Sequence, residues 1–266
     1  MTVAPIDTVL IALAVVWGAV AGAVLPRAAY RFSVELPELE ELEGADAGEA
    51  AGVVDPGRRR TCPEGHPLRG WLGPARCPGC PGTSPPYGSG ALRFSLVTAL
   101  LCAGLALATG IRPELAVWLL LAPVGVLLAA VDLRVKRLPD PLTLPLAAVA
   151  LALLGVAALL PEHAGDWTTA LLGALALSAG YLVLHLVNPG GMGFGDVKLA
   201  LGAGAVLGWY GWATVMLGTF AGFLFGALYG GALLLTRRAG RKTAIPFGPF
   251  LIAGVYAGVL MGAYAA

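Results

Sequence analysis

Charged side chains are what this chain has least of: Asp, Glu, Lys and Arg make up 12% of its 266 residues, against about 25% in a typical soluble domain. A water-soluble fold of this length needs a polar surface that these residues cannot supply. With 58% of residues hydrophobic, much of the apolar area has to face lipid. No excess of positive charge is present, since 17 basic and 16 acidic residues leave a formal net charge of +1, and nothing points to a nucleic-acid partner. The opening MTVAPIDT contains no Lys or Arg. The apolar run from Val9 to Leu25 therefore lacks the basic start of a secretory signal peptide and reads as a retained first membrane helix. Cysteine is scarce as well, with three of the four (Cys62, Cys77, Cys80) crowded into a polar stretch and Cys102 in an apolar run. That spacing suits a metal site better than a disulfide framework. No internal repeat is evident.

What the chain does have is apolar runs and 38 glycines, small residues that let membrane helices approach closely. A helix needs about 20 apolar residues to cross the hydrocarbon core. On that measure spans are expected at about residues 8–25, 94–111, 114–131, 142–160, 168–187, 197–211, 213–235 and 245–264. The sixth is short and Gly-rich (LALGAGAVLG), and so is tilted, re-entrant or lengthened by the preceding GFGD. If the N-terminus is outside, every Lys and Arg except Arg112 falls on the cytoplasmic side, as the positive-inside rule requires. The expectation is an all-α polytopic membrane protein of about eight transmembrane helices with both termini outside. Residues 1–25 form the first helix, 26–92 a cytoplasmic loop with a Cys/His cluster, and 93–266 a seven-helix membrane core. Within the loop, the acidic run Glu35, Glu38, Glu40, Glu41, Glu43, Asp46 and Glu49 is either a solvated linker or a weak, salt-screened attractor for a basic ligand.

Ionisable residues at membrane depth are functional candidates by default. Asp132 ends the third apolar run, in LLAAVDLRVKRLPDPLT, and Asp196 stands just before the sixth, in NPGGMGFGDVKLALG. The topology places both on the cytoplasmic side, where two helices can present two carboxylates to each other. Such a pair suits amide hydrolysis without a covalent intermediate, because close carboxylates share one proton and so supply a base and an acid together. Gly190, Gly191, Gly193 and Gly195 can take positive φ and let a substrate backbone approach Asp196. Pro139 and Pro141 are expected to break the helix after Asp132. Asp140 between them reads as turn-forming or substrate-orienting.

With VDLRVKRLPDPLT around Asp132, GMGFGDVKLALGAGAVLG around Asp196 and IPFGPFL at 245–251, the chain from about Leu92 onward resembles the prepilin peptidases. These are the type IV leader peptidases of the GxGD class of membrane aspartyl proteases. The resemblance implies that Asp132 and Asp196 are catalytic; Gly193, Gly195, Lys198 and Asp140 around them are expected to position the substrate. It also implies cleavage of the short basic leader of a pilin-like precursor at the cytoplasmic face of the plasma membrane. Many members carry a Gly-Ser-Phe-Leu-Asn stretch near the N-terminus, and some also methylate the new N-terminus using S-adenosylmethionine. Here the corresponding run is GAVAGAVLPRAAYRF, without Asn, so S-adenosylmethionine is expected only where that second activity is present.

The family often has two Cys-x-x-Cys pairs in its first cytoplasmic loop, and this chain has TCPEGHPLRGWLGPARCPGCPG. Cys77 and Cys80 make one knuckle, and Cys62 with His66 takes the place of the other. Thiolates and imidazole suit tetrahedral zinc, which can fold a segment too small to build its own core; reduced thiols without metal are the alternative. Cys102, His163 and His185 read as structural. Two other functions compete. A cation- or proton-coupled transporter would use the two aspartates as a relay, but they lie near one face and paired repeats are lacking. A structural subunit with a docking loop would leave the GFGD turn without a purpose.

Overall fold

The computed structural model describes residues 5–34, 54–55, 58–80, 87, 90–236 and 245–266. The acidic run Glu35–Glu49 and the basic residues Arg237, Arg238, Arg241 and Lys242 lie outside the described residues. Nine helices are present among those described: α1 (Pro5–Ala23), α2 (Leu25–Phe32), α3 (Ala91–Thr109), α4 (Glu114–Val135), α5 (Asp140–Ala157), α6 (Trp167–Val187), α7 (Phe194–Gly208), α8 (Trp212–Leu235) and α9 (Gly248–Ala265). Between α2 and α3 a short antiparallel ladder, β1 (Val54–Asp55) and β2 (Arg58–Arg59), pairs Val54 with Arg59 and Asp55 with Arg58.

Six helices, α3, α4, α5, α6, α8 and α9, are long and apolar enough to cross a membrane. α1 and α2 together make a seventh if the pair, bent by 43°, is one span. Among the described residues the expected count of eight is not confirmed, and the sixth expected span shows why. It is α7, which has 15 residues, so its length of about 22 Å falls short of a hydrocarbon core of about 30 Å. The GFGD segment lengthens it only to Phe194. Nearly the whole of α7 is buried, enclosed by α5, α6, α8 and α9, so its companions meet the lipid in its place. Leu100, Leu172, Leu186, Met216 and Leu228 are among the large apolar side chains left exposed on the outer helices.

α7 lies this deep because glycines remove the side chains that would hold its neighbours away. A Cβ on Gly173 of α6 would lie 2.6 Å from the Gly204 carbonyl of α7, and one on Gly204 would meet the Gly173 carbonyl in turn. Further along the same interface Ser178 Oγ donates to the Val197 carbonyl at 3.0 Å. α6 itself begins at a side-chain cap, the Asp166 carboxylate accepting the Thr169 N–H at 2.8 Å. Gly204→Val is therefore expected to destabilise the protein by about 1–3 kcal/mol through overpacking, seen as a lowered Tm in detergent. An unchanged Tm would mean that α6 and α7 are not held at backbone distance.

Candidate active site and metal cluster

Asp132 lies in the last turn of α4, and the helix stops at Lys136, which takes a left-handed conformation (φ 52, ψ 37) and returns its N–H to the Asp132 carbonyl at 2.8 Å. This corrects the expectation that Pro139 and Pro141 end that helix. The break comes before them, and the prolines instead start α5: Pro139 is its extended N-cap and Pro141 stands in the first turn, where a missing N–H is harmless. Leu138 turns inward between the two helices and is buried.

α7 starts directly after Gly193, whose backbone is extended (φ −71, ψ 146), and the Asp196 N–H bonds the Gly193 carbonyl at 3.1 Å. None of Gly190, Gly191, Gly193 and Gly195 has positive φ, which corrects the conformational role expected for them. Gly195 is already helical. What it supplies is space, since a Cβ there would stand 3.0 Å from the Leu138 Cβ. His185, read as structural from sequence, ties down the preceding turn: its Nδ1 donates to the Met192 carbonyl at 2.8 Å, and its ring packs 5.6 Å from that of Phe194.

Asp132 and Asp196 come together on one cavity of about 300 Å³, shared with Lys136, Arg137, Leu138, Asp140, Gly193, Phe194, Gly195 and Lys198. Both carboxylates are nearly enclosed, at 4% and 6% exposure. Asp132 Oδ2 accepts the backbone N–H of Gly248, the first residue of α9, at 3.0 Å. A helix N-terminus has such amides to spare and favours a carboxylate electrostatically. A Cβ on Gly248 would lie 2.7 Å from that same oxygen, so only glycine allows the contact. The motif IPFGPFL contains Gly248, yet its spacing alone gave no role to any one residue in it. Lys198 Nζ, two residues beyond Asp196, is turned to Asp140 Oδ2 at 2.6 Å and lies 5.0 Å over the Phe194 ring. All four expected substrate-positioning residues therefore line the cavity. Chemically, two enclosed carboxylates around one space are equipped to share a proton and handle a water between them.

The second cluster lies in the loop between α2 and α3. The ligand atoms of Cys62, His66, Cys77 and Cys80 all fall within 4.8 Å of one another. Cys62 Sγ is 3.6 Å from His66 Nδ1 and 3.7 Å from Cys80 Sγ, and Cys80 Sγ is 3.5 Å from His66 Nδ1. A tetrahedral ion with metal–sulfur bonds of about 2.3 Å and metal–nitrogen bonds of about 2.0 Å sets its ligands about 3.5–3.8 Å apart, so the four can hold a metal ion and are compatible with zinc. Gly65, in the left-handed region (φ +82), closes the first knuckle by donating to the Cys62 carbonyl at 2.9 Å. The thiols differ. Burial would raise Cys62, yet its hydrogen bonds with the side chain and backbone of His66 outweigh this and bring it down to about 7. Burial, with Cys62 and Cys77 alongside, pushes Cys80 up to about 12. A cation among them would remove that conflict and displace protons.

This loop is fastened to α2. Arg27 Nη1 donates to the Arg69 carbonyl at 2.9 Å and Arg31 Nη1 to that of Gly70 at 2.7 Å. The Arg31 guanidinium also stacks 4.1 Å over the Trp71 ring. α2 in turn packs Leu25, Ala28, Ala29 and Phe32 against Leu127 and Val131 of α4, next to Asp132.

The type IV leader peptidase family matches residues 115–231. The chain is 37% identical over 213 residues to the prepilin leader peptidase/N-methyltransferase of Aeromonas hydrophila, covering 76% of this chain and 68% of that protein. It is 31% identical over 281 aligned residues to the protein of the same name from Burkholderia pseudomallei (strain 1026b), covering 95% and 85%. The protein so named from Bacillus subtilis (strain 168) is 33% identical over 170 residues. No solved structure matches the chain. The cluster makes its own prediction: protein purified under reducing conditions without chelator carries about one metal ion per chain, and Cys77→Ser with Cys80→Ser together remove it. Elemental analysis that finds no metal in the unaltered protein would contradict the site.

Proposed function

Because the chain belongs to the type IV leader peptidase family, it is a membrane peptidase of prepilins, and we propose that Asp132 and Asp196 are its catalytic pair. The observation that carries this assignment is that both aspartates, from the end of α4 and the start of α7, are buried and line one cavity. In the proposed reaction the ionised member of the pair takes a proton from water as the water oxygen bonds to the scissile carbonyl carbon. The protonated member gives its proton to the carbonyl oxygen. Collapse of the tetrahedral intermediate then breaks the C–N bond, with the pair returning a proton to the departing amine. Gly248 holds Asp132 in place through its amide.

Substrates are pilin-like precursors, cut between a short basic leader and the hydrophobic segment that follows. Helix ends carrying Arg134, Lys136, Arg137 and Lys198 favour placing the site at the cytoplasmic face of the plasma membrane. Gly193, Gly195, Asp140 and Lys198 form the wall against which the precursor is positioned. Cys62, His66, Cys77 and Cys80 would hold zinc in the loop, in a structural role. N-methyltransferase activity belongs to the relatives' names; S-adenosylmethionine would serve only that activity, and no step at the two aspartates needs it. A transporter finds no support: the relatives are peptidases, and both carboxylates stand at helix ends rather than at mid-span.

Asp132→Asn and Asp196→Asn each keep the side-chain shape but cannot share the proton. Each is expected to lower kcat on the order of 10⁴-fold or more while the protein remains inserted; precursor processing at the normal rate by either variant would sink the assignment. Gly248→Ala pushes the Asp132 carboxylate aside and is expected to cost about 100-fold in kcat. Asp140 is largely exposed, so Asp140→Asn loses only an exposed ion pair and is expected to lower kcat/KM by about five-fold at most. A loss as large as that of Asp196→Asn would give Asp140 a part in the chemistry.

A further inference from the structure

One buried polar group next to the aspartates has no partner. Tyr181, on α6, is 1% exposed, and its hydroxyl is enclosed without a hydrogen bond. Buried hydroxyls are nearly always satisfied, and one that is not calls for an explanation. The antiparallel register of α6 and α7 supplies one. Gly208 approaches Thr169, Gly204 approaches Gly173, Ser178 bonds Val197 and His185 bonds Met192, so that each step forward along α6 is matched by a step back along α7. Continued between the last two pairs, that register sets Tyr181 across from the first turn of α7, which carries Asp196.

The ring is fixed on its other sides. Its centroid lies 5.8 Å from that of Phe223 and 5.9 Å from that of Phe247, and Phe247 immediately precedes the Gly248 amide that holds Asp132. Tyr181 thus bridges the supports of both carboxylates, with a hydroxyl kept dry and free.

We propose that Tyr181 is a positioning residue of the active site, its hydroxyl the hydrogen-bond donor that holds the Asp196 carboxylate in line with Asp132 during turnover. The inference rests on Asp196 being catalytic. Hydrogen bonds of this kind are often long in the free enzyme and tighten in the reacting complex. A purely structural role predicts a different outcome for catalysis, since removing an unsatisfied buried hydroxyl while keeping the ring should stabilise the fold and leave kcat unchanged.

The test uses the full chain in lipid with a pilin-like precursor and compares Tyr181→Phe, Asp196→Asn and the unaltered protein. Tyr181→Phe keeps both ring contacts and is expected to show an unchanged or raised Tm. Its kcat should fall by about 10- to 100-fold with KM within about two-fold. An inactive Asp196→Asn beside a Tyr181→Phe protein of normal kcat overturns the role of Tyr181 and leaves the catalytic pair standing. Normal cleavage by Asp196→Asn overturns both.

Discussion

The hydrogen bond from the Gly248 amide to Asp132 Oδ2 is the contact on which the rest of the site depends. It fastens the first residue of α9 to the last turn of α4, so two helices more than a hundred residues apart meet at a carboxylate that is almost fully enclosed. A carboxylate taken out of water needs donors, and a helix N-terminus has them ready-made. The contact also imposes a condition on sequence, because a Cβ at position 248 would lie only 2.7 Å from that oxygen and push it aside. Leu138 fills the space beside it, reaching toward both Gly248 and Gly195, and through Leu138 the position of α9 is passed on to the start of α7, where Asp196 stands.

α7 can be short because it is not asked to meet lipid along its length. Its neighbours approach to backbone distance at Gly173 and Gly204, and this close packing lets a 15-residue helix stand inside the bundle with its N-terminal turn at the cavity. The arrangement separates two demands on one surface: the outer helices carry the apolar side chains that lipid requires, while the inner one carries Asp196. Lys198 would otherwise place an ammonium next to that aspartate. Its pairing with Asp140, on a different helix, directs the charge to the rim.

Much of this was legible in the sequence. The scarcity of charge identified a membrane protein, the apolar runs located most of the helices, and the isolation of Asp132 and Asp196 in apolar surroundings marked the two residues that the fold brings to one cavity. The Cys/His spacing marked the four ligand atoms that converge in the loop. What periodicity and composition could not disclose was contact. A count of apolar runs cannot tell a helix that spans lipid from α7, which is enclosed by protein, because both are equally apolar. Glycine in a Gly-rich turn suggests positive φ, yet Gly195 is required for closeness to Leu138, which only the packing shows. Gly248 and Tyr181 were invisible for the same reason: each matters through a residue distant in the chain, and nothing in the local sequence records that neighbour.

The loop with the Cys/His cluster adds a further support. It grips α2 through Arg27 and Arg31, and α2 packs on the end of α4 that carries Asp132, so the loop is tied through α2 to the helix end at the cavity. If these two helix ends make a peptidase for precursors lying in the membrane, the purified protein in lipid, incubated with a pilin-like precursor, makes one cut, at the junction between the basic leader and the hydrophobic segment, which mass spectrometry locates. A precursor left intact, or cut within the hydrophobic segment, would refute that role.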